Sequence, residues 1–210
     1  MGREELEALV RAALEEAQAR GADQAEVAAS SDTGLAATAR LGDVENLEYT
    51  NDRGLWITVY KDSRKGSAST SDTQPEAIRE AVAKACTFAD CTAQDPYAGL
   101  ADAELMCTDA KDLDLDYPWG VEAADAIDMA IACEAAGLAV DARITNSEGA
   151  TVSTNRGFRA YGNTHGFVGS YAKSSHSISC VVLASDEGEM QRDYYYSAAR
   201  DAADLEDVSH

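Results

Sequence analysis

The chain has 210 residues, 45% of them hydrophobic, and its 38 acidic residues outnumber its 17 basic ones, for a formal net charge of -21 at pH 7. Such a field repels nucleic-acid phosphates and anionic lipid surfaces, because both are bound through clustered lysine and arginine. The composition therefore predicts an acidic globular protein without a direct nucleic-acid partner, and the length allows one large domain or two modest ones.

Two further features bear on localisation. The N-terminus is charged from residue 3 and lacks the continuous apolar core of a signal peptide, and no stretch approaches the length of a membrane span. The cysteines are odd in number and form no C-x-x-C pair: Cys86, Cys91, Cys107, Cys133 and Cys180. This pattern predicts reduced, mostly buried thiols in a cytoplasmic protein that does not associate with membranes.

Three helices are expected from apolar residues that recur at spacings of three and four. The first ends before Gly21 and buries Leu6, Leu9, Val10, Ala13, Leu14 and Ala17. The second has Thr73 as its cap and Pro75 in its first turn, and it buries Ile78, Ala81, Val82, Ala85, Cys86 and Ala89. The third spans residues 121–139 and buries Ala124, Ile127, Ile131, Ala135 and Leu138.

The sequence pattern of the rest of the chain predicts short strands. Residues 25–71 contain β-type runs separated by turn sequences at 32–34, 42–43, 51–54 and 62–65, and the sequence Arg64-Lys65-Gly66-Ser67 is interpreted as part of a hairpin turn. In the run LWITVY, Leu55, Ile57 and Val59 share one apolar face. Tight reversals are predicted at 147–149, 155–157 and 186–188, where a glycine can adopt a positive φ.

These elements predict an α+β fold in which helices pack on antiparallel sheets. An N-terminal α+β unit is expected over residues 1–92, followed by an extended, ordered connection over 93–120. Residues 121–210 are expected to form a helix and a meander of antiparallel strands, as the start of a longer strand-rich region.

No motif in the sequence names a reaction. His165 and His176 lie eleven residues apart without zinc-site spacing, and Cys180 follows His176 on the same strand face without implying a metal. The hydroxyls of Ser174–Ser177 lack a G-x-S-x-G elbow. We therefore expect no catalytic, cofactor-binding or metal-binding residue in this chain. His210 is terminal and carries no information.

Two features are open to a binding role. Tyr194, Tyr195 and Tyr196 could floor a peptide groove, although a core or sheet-interface position is the favoured interpretation. The glycines at 157, 162, 166 and 169 have no side chains to cover the strands. Their positions could therefore leave exposed strand edges to which an extended peptide adds as a further strand.

Taken in order, five segments resemble the PmbA branch, also called TldE, of the TldD/PmbA family: LEYTNDRGLWITVYKDSRKGSASTSD, DPYAGLAD, DLDLDYP, RITNSEGA and GNTHGFVGSYAKSSHS with MQRDYYYS. Proteins of this family have been described as modulators of DNA gyrase. The activity that the resemblance implies is proteolysis of flexible peptides by a TldD/TldE metalloprotease complex.

The resemblance also implies where the zinc is. In this family a His-Glu-x-x-x-His motif belongs to the TldD partner, and the PmbA branch lacks the ligands. This sequence has no such motif, and relatives continue beyond the position of His210 into a second domain of comparable size. We therefore expect a cytoplasmic, non-catalytic subunit of a heteromeric peptidase whose zinc is held by a TldD-like subunit.

Two alternatives remain at this point. The chain could be a stand-alone protein- or peptide-binding module, or a remnant, without a role in proteolysis. An independent hydrolase that uses His165, His176 or Cys180 is disfavoured, because the sequence supplies neither a metal-ligand set nor a catalytic triad.

Overall fold

The computed structural model describes residues 1–208, and His210 lies outside them. The helices are α1 (Arg3–Ala19), α2 (Pro75–Cys91) and α3 (Ala123–Ala139). The strands are β1 (Gln24–Arg40), β2 (Asp43–Lys61), β3 (Arg64–Thr70), β4 (Ile144–Asn163), β5 (Val168–Asp186) and β6 (Glu189–Ala199). Two short 3-10 helices cover Ala103–Leu105 and Ala202–Asp204.

The six strands form one antiparallel sheet in the order β3-β2-β1-β4-β5-β6. Three hairpins, β1–β2, β2–β3 and β5–β6, turn over only two residues each, and β4 and β5 are joined by four. The α+β fold and the antiparallel sheet predicted from the sequence are therefore confirmed.

Contacts divide the chain into two compact units, and each is assembled from three separate stretches. Unit 1 contains residues 1–32, 52–114 and 157–172, and unit 2 contains 33–51, 115–156 and 173–210. Strands β1, β2, β4 and β5 each contribute residues to both units. This grouping does not follow the contiguous boundaries at residues 92 and 120, which stay a prediction about domains.

The core of unit 1 lies between α1, α2 and the inward faces of β1 and β2. Leu55, Ile57 and Val59 are essentially inaccessible to solvent, which confirms the apolar face predicted for LWITVY. Helix α2 packs against β3, where Gly66 permits close contact with the backbone of Ala85 and Ala89.

Unit 2 has a smaller core beneath α3. Its buried members come from β1, α3, β4 and β5: Leu35, Ala37, Ala39, Ala126, Ala130, Cys133, Ala150, Val152 and Ile178. A carboxylate, Glu134, is buried beside them. Because many of these side chains are alanines, α3 can lie close to the sheet.

The first two helices follow their sequence patterns closely. Leu6, Val10, Ala13, Leu14 and Ala17 are buried on α1 while Leu9 is partly buried, and Gly21 follows with a φ of +82°. The buried residues of α2 are the six predicted. The predicted cap Thr73 is wrong, because the N-cap is Gln74, whose backbone N–H donates to Asp72 Oδ1 at 2.9 Å.

The buried face of α3 differs from the prediction. Its fully buried residues are Ala126, Ala130, Cys133 and Glu134, whereas Ile127 and Ile131 lie only at the border of the core. Apolar residues occur around most of this helix, so their spacing alone did not single out one face.

The strands are longer than their glycine-containing turn signals suggested. β1 continues through 32–34, β2 through 51–54, and β4 through both 147–149 and 155–157, so the reversals predicted at these sites are wrong. A Cβ on Gly34 would lie 2.9 Å from the Thr154 carbonyl oxygen, and one on Gly157 would lie 2.4 Å from Asp32 Oδ1. These glycines mark close approaches between strands.

The remaining observed turns overlap the sites predicted for them at 42–43, 62–65 and 186–188. Leu41 and Gly42 connect β1 to β2, Asp62 and Ser63 connect β2 to β3, and the 186–188 reversal is confirmed between β5 and β6. The sequence Arg64-Lys65-Gly66-Ser67 is therefore the first part of strand β3 and not a turn.

Candidate functional site

His176 is held in the interior of unit 2 by both ring nitrogens. Its Nε2 lies 2.8 Å from the Tyr117 carbonyl oxygen, and its Nδ1 lies 2.9 Å from Thr154 Oγ1. A carbonyl only accepts hydrogen bonds, so Nε2 carries the proton and donates. The ring also packs edge-on against Trp119, with centroids 5.5 Å apart. These contacts give His176 a structural role.

His165 belongs to unit 1 and lies in the turn between β4 and β5. Its Nε2 is 3.1 Å from the Ala101 carbonyl oxygen, and its backbone N–H donates to Asn163 Oδ1 at 3.0 Å. The ring therefore connects this turn to the segment that follows α2.

Cys180 on β5 shares a thiol hydrogen bond with Cys133 on α3. This bond lowers the pKa of Cys133, and together with burial it raises the pKa of Cys180 well above its ordinary value. Cys180 is consequently protonated at neutral pH, which makes it a poor nucleophile.

The serine cluster also has structural roles. Ser174 Oγ donates to the Arg200 carbonyl oxygen at 2.8 Å and accepts from the Tyr117 backbone N–H at 2.8 Å, while the Ser177 hydroxyl pairs with that of Ser153. Among residues 1–208, no group of three or more His, Cys, Asp or Glu side chains could hold a metal ion. The expectation that this chain has no catalytic, metal or cofactor residue stays a prediction.

Unit 1 contains an aromatic cavity of about 840 Å³. Its aromatic lining comprises Trp56, Tyr161, Phe167 and Tyr171, and its charged lining is balanced: Asp32, Asp52 and Asp109 with Arg53, Lys111 and Arg159. Arg159 and Asp32 form an ion pair at 2.8 Å. Size and lining are suited to an organic ligand or a peptide side chain, without preference for either charge.

The Tyr161 hydroxyl beside this cavity donates to Glu26 at 3.0 Å, and the Tyr60 hydroxyl donates to the same carboxylate at 3.1 Å. Burial, reinforced by Glu26, raises the pKa of Tyr60 to about 12. Both phenols therefore remain protonated hydrogen-bond donors at neutral pH, and the group fixes the orientation of Tyr161.

Unit 2 contains a groove of about 720 Å³ between the C-terminal end of α3, the β5–β6 hairpin and residues 206–208. Ile178, Cys180, Val182 and Ala184 supply its floor from β5, and their partners Ser197, Tyr195, Asp193 and Gln191 continue it on β6. Sequence reasoning missed this groove, although the polar residues that alternate along the chain at Glu189, Gln191 and Asp193 could have suggested one polar face.

The tyrosine cluster lies on the last strand of the sheet order. Tyr194, Tyr195 and Tyr196 are each more than half exposed, so the favoured core interpretation is wrong. The rings of Tyr194 and Tyr196 stack with centroids 6.5 Å apart, while Tyr195 faces the groove and donates to Glu206 at 2.8 Å. Gly157, Gly162 and Gly169 lie on interior strands and Gly166 lies in a turn, so they create no sheet edge.

Comparison with known proteins identifies the family. Residues 25–89 match the family model described as PmbA/TldA metallopeptidase domain 1, and residues 116–210 match the PmbA/TldA metallopeptidase central domain. The chain belongs to the PmbA/TldD family. The resemblance of the sequence to this family is thereby confirmed.

Relatives of this PmbA/TldD-family chain include the metalloprotease PmbA of Escherichia coli O157:H7, which is 45% identical over 201 residues, covering 96% of this chain and 44% of the relative. A metalloprotease PmbA homolog of Haemophilus influenzae is 42% identical, covering 94% of this chain and 44% of the relative. The chain thus spans less than half the length of these curated relatives.

Solved structures share the fold. A protein of Bacteroides thetaiotaomicron described as a modulator of DNA gyrase superposes with a TM-score of 0.86 at 23% identity, covering 95% of this chain and 46% of that one. TldE of Thermococcus kodakarensis superposes with a TM-score of 0.76 at 16% identity, covering 96% and 44%. At these identities the likeness concerns the fold alone. No helix within residues 1–208 is long and apolar enough to cross a membrane.

Proposed function

We propose that this chain is a non-catalytic subunit of a TldD/TldE-type zinc metallopeptidase complex that acts on flexible peptides. Membership of a metallopeptidase family and relatives named metalloprotease PmbA support the peptidase context. The observation that carries the non-catalytic part is the engagement of His176, whose two ring nitrogens are both used in hydrogen bonds in the interior.

The described residues do not fit a zinc site. His176 has no free nitrogen, His165 is joined to the Ala101 carbonyl, and no cluster of three or more donor side chains exists within residues 1–208. We therefore derive no catalytic step through zinc in this chain. In the proposed complex a TldD-like subunit holds the metal, which would activate water there.

The contribution of this chain would be to bind peptide and to complete the assembly. The unit 1 cavity and the unit 2 groove are both large enough to receive peptide side chains. As part of the proposal we place the subunit in the cytoplasm, which agrees with its five free cysteines.

Reconstitution with a TldD-like protein from the same host tests the proposal. We expect the tagged chain to retain that protein through size-exclusion chromatography, and we expect cleavage of an unfolded peptide to require both proteins. Equal cleavage with and without this chain would contradict the subunit role.

A second candidate, a peptide-binding module without a role in proteolysis, is favoured by the groove with its exposed tyrosine neighbours. The two candidates separate in the same reconstitution. A module of this kind binds peptide alone and leaves the rate of the TldD-like protein unchanged.

A further inference from the structure

The unit 2 groove has an apolar side and an acidic side. Val140, which directly follows α3, and Val182 and Ala184 of β5 provide apolar surface. Six carboxylates lie among the lining residues: Asp141, Asp186, Glu189, Asp193, Glu206 and Asp207. Apolar groups in a peptide could therefore contact the β5 side while its charged groups reach the rim.

Among residues 1–208, Arg143 is the only basic side chain that lines the groove, and it is already engaged. Arg143 lies 2.9 Å from an Asp141 carboxylate oxygen and 3.5 Å from one of Asp186. These contacts raise the pKa of Arg143 and hold the pKa of Asp141 far below its ordinary value, so both groups stay charged at neutral pH. The groove therefore keeps a large negative excess.

The overall acidity of the chain does not by itself explain this excess. The unit 1 cavity, which has a similar volume, is lined by three acidic and three basic side chains. Of these two cavities, only the unit 2 groove carries a negative excess, and this contrast supplies the charge complementarity that selects a ligand.

The floor of the groove is also elongated. The paired residues run from Ile178 opposite Ser197 to Asp186 opposite Glu189. At about 3.3 Å per residue, this floor is about 26 Å long and can accompany about eight residues of an extended peptide.

We propose that this groove binds an extended, cationic peptide segment in which lysine or arginine residues are interspersed with apolar ones. The apolar side chains contact Val182 and Ala184, and the cationic side chains face Glu189 and Asp193 on β6. The inference rests on the proposed function in one respect, because the subunit would present this class of peptide to its partner. Binding of the peptide to the groove requires only this chain.

Fluorescence anisotropy with the whole chain and no partner tests the inference. Two labelled peptides of about ten residues share the same apolar positions, and the remaining positions are lysine in one and glutamate in the other. We expect the lysine peptide to bind at least about tenfold more tightly, and we expect its affinity to fall as salt rises from about 0.05 M to about 0.5 M.

A matched pair of double variants separates groove binding from general attraction to an acidic protein. Glu189→Gln with Asp193→Asn removes two exposed charges at the groove, and Asp52→Asn with Asp109→Asn removes two at the unit 1 cavity. Both change the net charge equally. We expect only the groove variant to weaken binding of the lysine peptide, by about fivefold or more.

Equal weakening by both variants, or equal affinity for both peptides, would overturn the inference. Ala184→Arg provides a further check, because it introduces a cation into the floor, and it should abolish the preference for the lysine peptide while the far-ultraviolet circular dichroism stays unchanged. Retention of the TldD-like protein is measured separately. Failure of the peptide test would therefore not contradict the subunit proposal, and failure of the reconstitution would not contradict peptide binding in the groove.

Discussion

The buried carboxylate of Glu134 accepts a hydrogen bond from the hydroxyl of Ser147, which joins α3 to β4 inside unit 2. The same carboxylate accepts from the backbone N–H groups of Leu41 and Gly42 at 2.8 and 3.0 Å. Both turn residues have a positive φ, of 51° and 81°. Glu134 thereby satisfies the donors of the β1–β2 turn from the neighbouring helix.

Replacing Glu134 with glutamine should lower the free energy of unfolding by about 2 kcal/mol, because the amide cannot accept all three hydrogen bonds and introduces its own buried donor. Urea denaturation followed by circular dichroism measures the change. Asp128→Asn, at an exposed position of the same helix, is the matched control and should change stability little. Equal losses in the two variants would contradict the role assigned to Glu134.

Stability should depend on pH through the same carboxylate. Burial acts to raise the pKa of Glu134, but hydrogen bonds from Ser147, Gly42 and Leu41, with the charge of Arg40, outweigh it and lower the pKa. A depressed folded-state pKa means that the stabilisation is complete above the unfolded value of about 4.3 and is lost as the pH falls below it. Glu134→Gln should therefore show a shallower acid loss than the wild type between about pH 5 and pH 3.

Gly66→Ala should destabilise unit 1 by about 3 kcal/mol, because the added Cβ would lie 2.0 Å from the Ala85 carbonyl oxygen and 2.4 Å from the Ala89 nitrogen. Relief requires β3 and α2 to separate. Gly120→Ala is the control, since no heavy atom lies within 4 Å of its added Cβ. Thermal unfolding of both variants measures the difference, and a Gly66 variant as stable as the control would refute the packing of β3 on α2.

The five thiols should react in an order set by burial. Cys91 and Cys107 are exposed and should be alkylated first, whereas Cys86 and Cys133 are buried and Cys180 is half-buried. Burial also raises the pKa of Cys86, which slows its reaction further. Peptide mapping after timed alkylation of the native protein gives the order, and early labelling of Cys86 would show that α2 is less well packed than described.

Loss of His176 should be a loss of structure rather than of a metal ligand. His176→Ala removes the buried ring that hydrogen-bonds to the Tyr117 carbonyl and the Thr154 hydroxyl, and it should cost about 2 to 3 kcal/mol, while His165→Ala should cost about 1 kcal/mol or less. Added zinc tests the distinction, since a ligand bound only by the folded state raises the melting temperature. A zinc-dependent increase in the wild type that disappears in His176→Ala would contradict the structural role.

Much of unit 1 could be predicted from the sequence. The buried faces of α1 and α2 and the apolar face of LWITVY depend on a repeat of 3.6 or 2 residues, and such a repeat is carried by residues close together in the chain. The family could also be recognised from the sequence, because several characteristic segments occur in the family's order along the chain.

The lengths of the strands could not be predicted in this way. Gly34 and Gly157 have the same local signature as turn glycines, yet an added Cβ would lie 2.9 Å from the Thr154 carbonyl oxygen at Gly34 and 2.4 Å from Asp32 Oδ1 at Gly157. The buried face of α3 could not be predicted from the sequence either. A carboxylate such as Glu134 can be buried because the β1–β2 turn and β4 supply hydrogen-bond donors to it.

The sequence by itself determined the fold class, the first two helices and the family, since these follow from local periodicity and from ordered motifs. Only the tertiary structure decided that His176 is fully engaged, that the tyrosines are exposed, and that carboxylates from β5, from β6 and from the segments after α3 and β6 meet at one groove. The physical reason is that charge and hydrogen-bond complementarity depend on distances between residues far apart in the chain, and these distances exist only once the strands have paired.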